Sequence, residues 1–284
     1  MKEKALIFLR GLFMGMADII PGVSGGTIAL ITGIYERLIF AIRGMNIRFL
    51  SHLLKGDLRK SGESFLKMDW GFLVPLILGI GTAFMILSGV IRFFMNVYPA
   101  NTYAFFFGLI LASAGFVYRH VGVNDHRTLS SGVIGFLFAY LLTGLGTLQA
   151  THSLPVIFFS GIAAICAMIM PGISGAFVLF FLGQYEYMLS ALHSLDLAVI
   201  GVFMVGALIG LFGMARVLGY LLKCHKAVTM AFLVGLMLGA LRLPYQNIVS
   251  NDFYLPLVII SGAVGFLLVF ILEKMGSRFQ VGEV

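Results

Sequence analysis

Cysteine is nearly absent from this chain, with Cys166 and Cys224 the only two in 284 residues. They form no Cys-x-x-Cys or other ligand spacing, so neither a disulfide framework nor a zinc site is expected, and no cofactor is implied. Charge is also scarce, at 11% of residues against 60% hydrophobic. No soluble core of this size needs so much apolar side chain, which leaves an all-α polytopic membrane protein. The formal charge of +7 sits in loops between apolar runs. That is the positive-inside pattern, and nucleic acid is not an expected partner. Tryptophan occurs once, whereas Phe occurs 27 times. Runs such as Phe105–Phe107 and Phe180–Phe181 face membrane lipid or line a path for lipid tails.

What the chain does have is a repeated break. Pro21-Gly-Val-Ser-Gly-Gly-Thr27, continuing to Gly33-Ile-Tyr-Glu36, returns as Pro171-Gly-Ile-Ser-Gly-Ala-Phe177, continuing to Gly183-Gln-Tyr-Glu186. Seven of the sixteen aligned positions are identical. In lipid, irregular backbone persists only where protein or an aqueous cavity satisfies its polar groups, so paired breaks point to a binding site.

Apolar runs of helical length fall at about 5–20, 25–42, 72–95, 102–118, 131–149, 156–170, 174–192, 197–222, 228–243 and 255–272. The N-terminus, with Lys2 and Lys4 before an apolar run, resembles a signal peptide but lacks a convincing cleavage site, so it is expected to be retained. Lys2, Lys4 and the basic loop from Arg43 to Lys67 place both ends of the first hairpin in the cytoplasm. Each arm, about 16 residues long, reaches roughly 24 Å, short of the ~30 Å hydrocarbon core. A re-entrant hairpin with its tip at 21–26 follows. The loop 149–154 and the segment 193–196 carry no Lys or Arg and belong outside, while Lys274 and Arg278 return the C-terminus to the cytoplasm.

The duplication runs past the motif. Thr102-Tyr-Ala-Phe-Phe-Phe-Gly-Leu-Ile-Leu111 parallels Thr229-Met-Ala-Phe-Leu-Val-Gly-Leu-Met-Leu238, and Gly135-Phe-Leu137 parallels Gly265-Phe-Leu267. Residues 1–150 form one repeat and 151–284 the other, each a re-entrant hairpin plus three transmembrane helices. The odd number of spans inverts the second repeat, which is an architecture of secondary transporters. Gly11/Gly15, Gly206/Gly210 and Gly235/Gly239 permit close helix crossings within or between protomers, so a homo-oligomer stays open.

Helix N-termini present unpaired N–H groups and partial positive charge, which suit phosphate or carboxylate. Gly22, Ser24, Gly25, Gly26 and Thr27 at one tip, with Gly172, Ser174 and Gly175 at the other, are therefore the candidate anion-binding residues. Arg92, Arg216 and Arg242 border the spans and either bind a phosphate headgroup or snorkel. Glu36, Arg37 and Glu186 are candidates for proton coupling or charge pairing, or else mark hairpin ends at the headgroups. Asp18 has Met168 as its counterpart, so it is not expected in a symmetric site. Gly-Val-Ser-Gly-Gly also reads as a serine-nucleophile motif. However, every histidine (52, 120, 126, 152, 193 and 225) lies in a loop or at a span edge, no base is within reach, and no enzyme is expected.

At Met16-Ala-Asp-Ile-Ile-Pro-Gly-Val-Ser-Gly-Gly-Thr27, echoed at Pro171–Gly175, the sequence resembles the bacterial polyprenyl-phosphate transporter family over nearly its whole length. The resemblance implies a carrier in the cytoplasmic membrane that returns undecaprenyl phosphate, the lipid carrier of cell-wall synthesis, from the outer to the inner leaflet. Spacing and charge alone leave a second reading, an exchanger of a small soluble anion. The second motif copy departs from the fuller form, which separates the roles of the two tips.

Overall fold

The computed structural model describes residues 2–19, 24–44, 68–119, 121–122, 125–144 and 151–280. The basic loop from 45 to 67, the loop 145–150 and the motif residues Pro21 and Gly22 lie outside them. Among the described residues there are thirteen helices and no strand. In chain order they are α1 (Lys2–Ile19), α2 (Gly25–Ile31), α3 (Tyr35–Gly44), α4 (Trp70–Val97), α5 (Pro99–Arg119), α6 (His126–Leu142) and α7 (Leu154–Ile169). There follow α8 (Gly175–Phe181), α9 (Tyr185–His193), α10 (Leu197–Cys224), α11 (Lys226–Ala240), α12 (Arg242–Val249) and α13 (Leu255–Gln280).

Polar residues set the helix starts. Asp69 accepts from the N–H of Phe72 at 3.2 Å to open α4, and Asp196 accepts from Ala198 and Val199 to open α10. Asp125 does the same for Thr128 at 2.8 Å, and the Thr128 hydroxyl and N–H hold its carboxyl below its ordinary value.

Neither returning arm is the single helix expected from its apolar run. The first divides into α2 and α3, bent by 116°, and the second into α8 and α9, bent by 111°. Gly33 and Gly183 supply the turns, with φ of +73° and +69°, a region that costs any side-chain-bearing residue. Hydrogen bonds from Ile34 N to Ala29 O and from Gln184 N to Leu179 O close both turns in the same way. Helix α12 also lies beyond the expected end of its span.

The most extensive helix contacts pair α1 with α4, α7 with α10, α6 with α11 and α5 with α13. Glycines bring these backbones together at corresponding places. Gly79 lies against the Phe8 carbonyl and Gly206 against that of Phe158, while Gly11 faces Leu76 and Gly161 faces Phe203. Likewise Gly108 abuts the Gly262 carbonyl and Gly235 that of Gly132. Exchanging the aligned positions of the two halves maps each of these contacts onto its counterpart. A Cβ at Gly235 has nowhere to go except into backbone. Gly235→Val should therefore lower thermal stability by an overpacking penalty of about 1–3 kcal/mol, measurable as a lower Tm in detergent, whereas Gly213→Val, with open space around it, should not.

Candidate functional site

The two breaks meet in the core. Ser24 caps α2, its Oγ accepting from Gly26 N–H at 3.1 Å, and it is only 1% exposed. The same hydroxyl reaches the carbonyls at the C-terminal end of α7, at 3.3 Å from Met170 O and 3.5 Å from Met168 O. Tyr35, 2% exposed, donates its OH to Ile169 O at 3.2 Å. Residues of the first break thus satisfy the carbonyls that a helix C-terminus leaves without partners. In the other direction, Gly172 N–H donates to Thr27 Oγ1 at 3.0 Å, and Thr27 is fully buried. Gly26 packs tightly against Ile169 O and Pro171 N, so that a Cβ there would press on both. Gly172 itself holds φ of +87° against the backbone of Met237 on α11.

A carboxylate already occupies the start of α2. Asp18, at the end of α1, accepts from Gly25 N–H at 2.7 Å, and its side chain fills the space a Cβ on Gly25 would need. The charge suits the positive end of α2. Asp18 was set aside in the sequence because its counterpart is Met168, yet the meeting of the breaks is asymmetric and does not need a matched pair. An acidic residue just upstream of a Ser-Gly-Gly helix start was the available signal. Ser174 shows the same asymmetry: it is buried at the N-cap of α8 but its side chain does not cap that helix. Gly175 packs beside the Ala164 carbonyl.

The structure therefore brings Ser24, Gly26 and Thr27 against Gly172 and its neighbours, with Gly25 beside them on Asp18 and Ser174 and Gly175 at the start of α8, while Gly22 lies outside the described residues. Arg216 and Arg242 do not join them. Arg216 is exposed on α10. Arg242 donates from Nη1 to Tyr140 O at 2.9 Å and lies 4.5 Å over the Tyr140 ring, joining α12 to α6. Arg92 lies on α4, and its side chain is outside the described residues.

The candidate charge-pairing residues lie at the surface. Glu36 pairs with Lys226 at 2.6 Å, linking α3 to the start of α11. Arg37 bridges Glu3 at 3.0 Å and Asp69 at 2.9 Å and stacks over Phe72. Glu186 is exposed. Exposed pairs contribute little, so Lys226→Gln should change unfolding free energy by less than about 1 kcal/mol in a denaturant titration. Sequence reading also missed the buried Gln184, whose side chain meets His152 Nδ1 at 2.9 Å and donates to Thr151 O at 3.3 Å.

The profile of the undecaprenyl phosphate translocase-like family matches residues 14–253, which include both breaks. The chain belongs to that family. It is 39% identical to a polyprenyl-phosphate transporter of Vibrio cholerae over 82% of this chain and 75% of that protein. It is 28% identical to a polyprenyl-phosphate transporter of Staphylococcus aureus over 97% of this chain and 98% of that one. No solved structure matches. The family and both relatives are named for transport, so the chain is a transporter and not an enzyme. Among the described residues, three helices are long and apolar enough to cross a membrane, and up to five spans result if each bent pair counts as one. With the relatives, these make it a multi-pass membrane protein.

Proposed function

We propose that this protein carries a polyprenyl phosphate, undecaprenyl phosphate in particular, from the outer to the inner leaflet of the cytoplasmic membrane for reuse in envelope synthesis. The observation that carries the reading is the junction of the two breaks, where Thr27 and Ser24 of one bond to Gly172 and Met170 of the other. A phosphate needs N–H and hydroxyl donors along its route, because an unshielded charge in hydrocarbon is prohibitively costly. Gly25 N–H, now held by a carboxylate, is such a donor. Phosphate oxygens would take the place of the Asp18 oxygen, with Ser24, Gly26, Thr27, Gly172, Ser174 and Gly175 around them. Arg216 and Arg242 lie away from this centre, and with Arg92 they would draw the headgroup in from the leaflets.

The exchange of matched contacts between halves supports an inverted repeat of residues 1–150 and 151–284, each built on a re-entrant hairpin. Rocking one half on the other would open the junction to each leaflet in turn. Proton or cation coupling would run through a carboxylate, with Asp18 better placed than Glu36 or Glu186. With N- and C-termini in the cytoplasm, Cys224 faces inward. In intact cells, native Cys224 should resist a membrane-impermeant maleimide, while a cysteine replacing Ser153 should react; labelling of Cys224 would overturn the topology.

The direct test is lipid movement in liposomes. Reconstituted protein should move polyprenyl phosphate between leaflets, at a rate that responds to a pH gradient. Movement of a soluble anion such as inorganic phosphate, without movement of the lipid, would replace the proposal with an anion exchanger.

A further inference from the structure

A cavity of about 560 Å³ opens between the C-terminal end of α4, the start of α5 and the start of α13. Phe94, Tyr98, Phe105, Leu257, Ile260 and Val264 form most of its wall. Phe94, Leu257, Ile260 and Val264 are each about half exposed, so the cavity opens sideways, toward the surface that lipid covers. Met16 on α1 also lines it, within one turn of Asp18, whose carboxylate bonds to Gly25 at the junction of the two breaks. The few polar groups along it are engaged with the protein. Asn101 donates to Ser261 Oγ at 3.3 Å, tying α5 to α13, and Thr102 Oγ1 donates to the carbonyls of Tyr98 and Phe94. An occupant therefore finds hydrocarbon and aromatic walls and little to bond to, which suits a chain and not a headgroup.

We infer that this slot receives the first prenyl units of the carried lipid, holding the tail in a sideways opening while the phosphate reaches the junction. The inference rests on the proposed function and adds the place where chain identity is read. Its occupant is the prenyl tail and not the acyl chain of a bulk phospholipid. Met16 in its lining places the slot beside Asp18 and the break junction, so a chain lying in it can continue to a head bound there. On the proposed topology it opens in the outer half of the membrane, where the lipid is collected. Its volume is within the range of small-ligand cavities and accepts only part of a long prenyl chain.

Val264→Trp and Leu257→Trp, made separately, place an indole in the slot without touching the junction. In liposomes, each should slow undecaprenyl phosphate transport about tenfold, the effect of losing burial of a few carbon atoms. Transport of farnesyl phosphate, whose three prenyl units are the ones the slot receives, should fall by a similar factor. No loss for either lipid, or a loss for undecaprenyl phosphate alone, would overturn the assignment. If the wild-type protein moves neither lipid, the proposed function has failed, and crosslinking still decides the slot. A diazirine-bearing prenyl phosphate should label the peptides of residues 94–106 and 257–264 in the detergent-purified protein. Undecaprenyl phosphate should compete that labelling away and phosphatidylglycerol should not. Competition by phosphatidylglycerol to the same degree would make the slot a general lipid contact and overturn the inference.

Discussion

Gly172→Val should largely abolish the folded protein. At φ of +87°, any side chain is strained, and a β-branched one most of all, at about 1–2 kcal/mol or more. The new Cβ would also stand 2.8 Å from the backbone of Met237 on α11, where only a shift of one helix makes room. Overpacking of this kind adds about 1–3 kcal/mol. The strain also threatens the bond from Gly172 N–H to Thr27, the link between the two breaks. The sum is a large fraction of the stability of an ordinary domain. The expected result is a low yield of monodisperse protein and a Tm well below wild type in a detergent melt. Gly172→Ala should lie between the two, because it keeps the strain and brings less bulk. A wild-type melting curve for the valine variant would show that the backbone does not turn there as described.

Thr27→Val should stop transport while leaving a folded protein. The substitution keeps shape and branching but removes the oxygen that accepts from Gly172 N–H. A buried donor left unpaired costs about 1–3 kcal/mol, enough to shift the balance between the states of a rocking carrier by tenfold or more, without unfolding thirteen packed helices. Thr27→Ser retains the hydroxyl and should restore most activity. Ser24→Ala should add to the defect, since Ser24 both caps α2 and reaches the end of α7. The measurement is lipid-phosphate movement in liposomes at matched protein incorporation. If Thr27→Val transports as fast as wild type, the junction has no part in the cycle.

Much of this arrangement was legible in the chain. The repeated Pro-Gly-x-Ser-Gly marked the two places where backbone leaves the helix, and the shared glycines marked where helices cross. Both are local signals, because proline and glycine act on their own φ and their own surroundings. The break of each returning arm was missed, although Gly33 and Gly183 were noted as repeated. An apolar run reads as one helix whether or not a single left-handed glycine bends it. The role of Asp18 was missed for a different reason. Internal symmetry points only to residues present in both copies, and Asp18 has Met168 as its counterpart.

By itself, the sequence determined a membrane-embedded helical protein, the doubling of its motifs and its two breaks. These follow from composition and from residue types whose constraints are carried within a few positions. Only the tertiary structure decided that the breaks touch, that a carboxylate from α1 already holds Gly25, and that Arg242 and Glu36 are engaged elsewhere. Those facts depend on which helices pack together, and packing is settled by surfaces assembled from residues more than a hundred positions apart, as Ser24 and Met170 are.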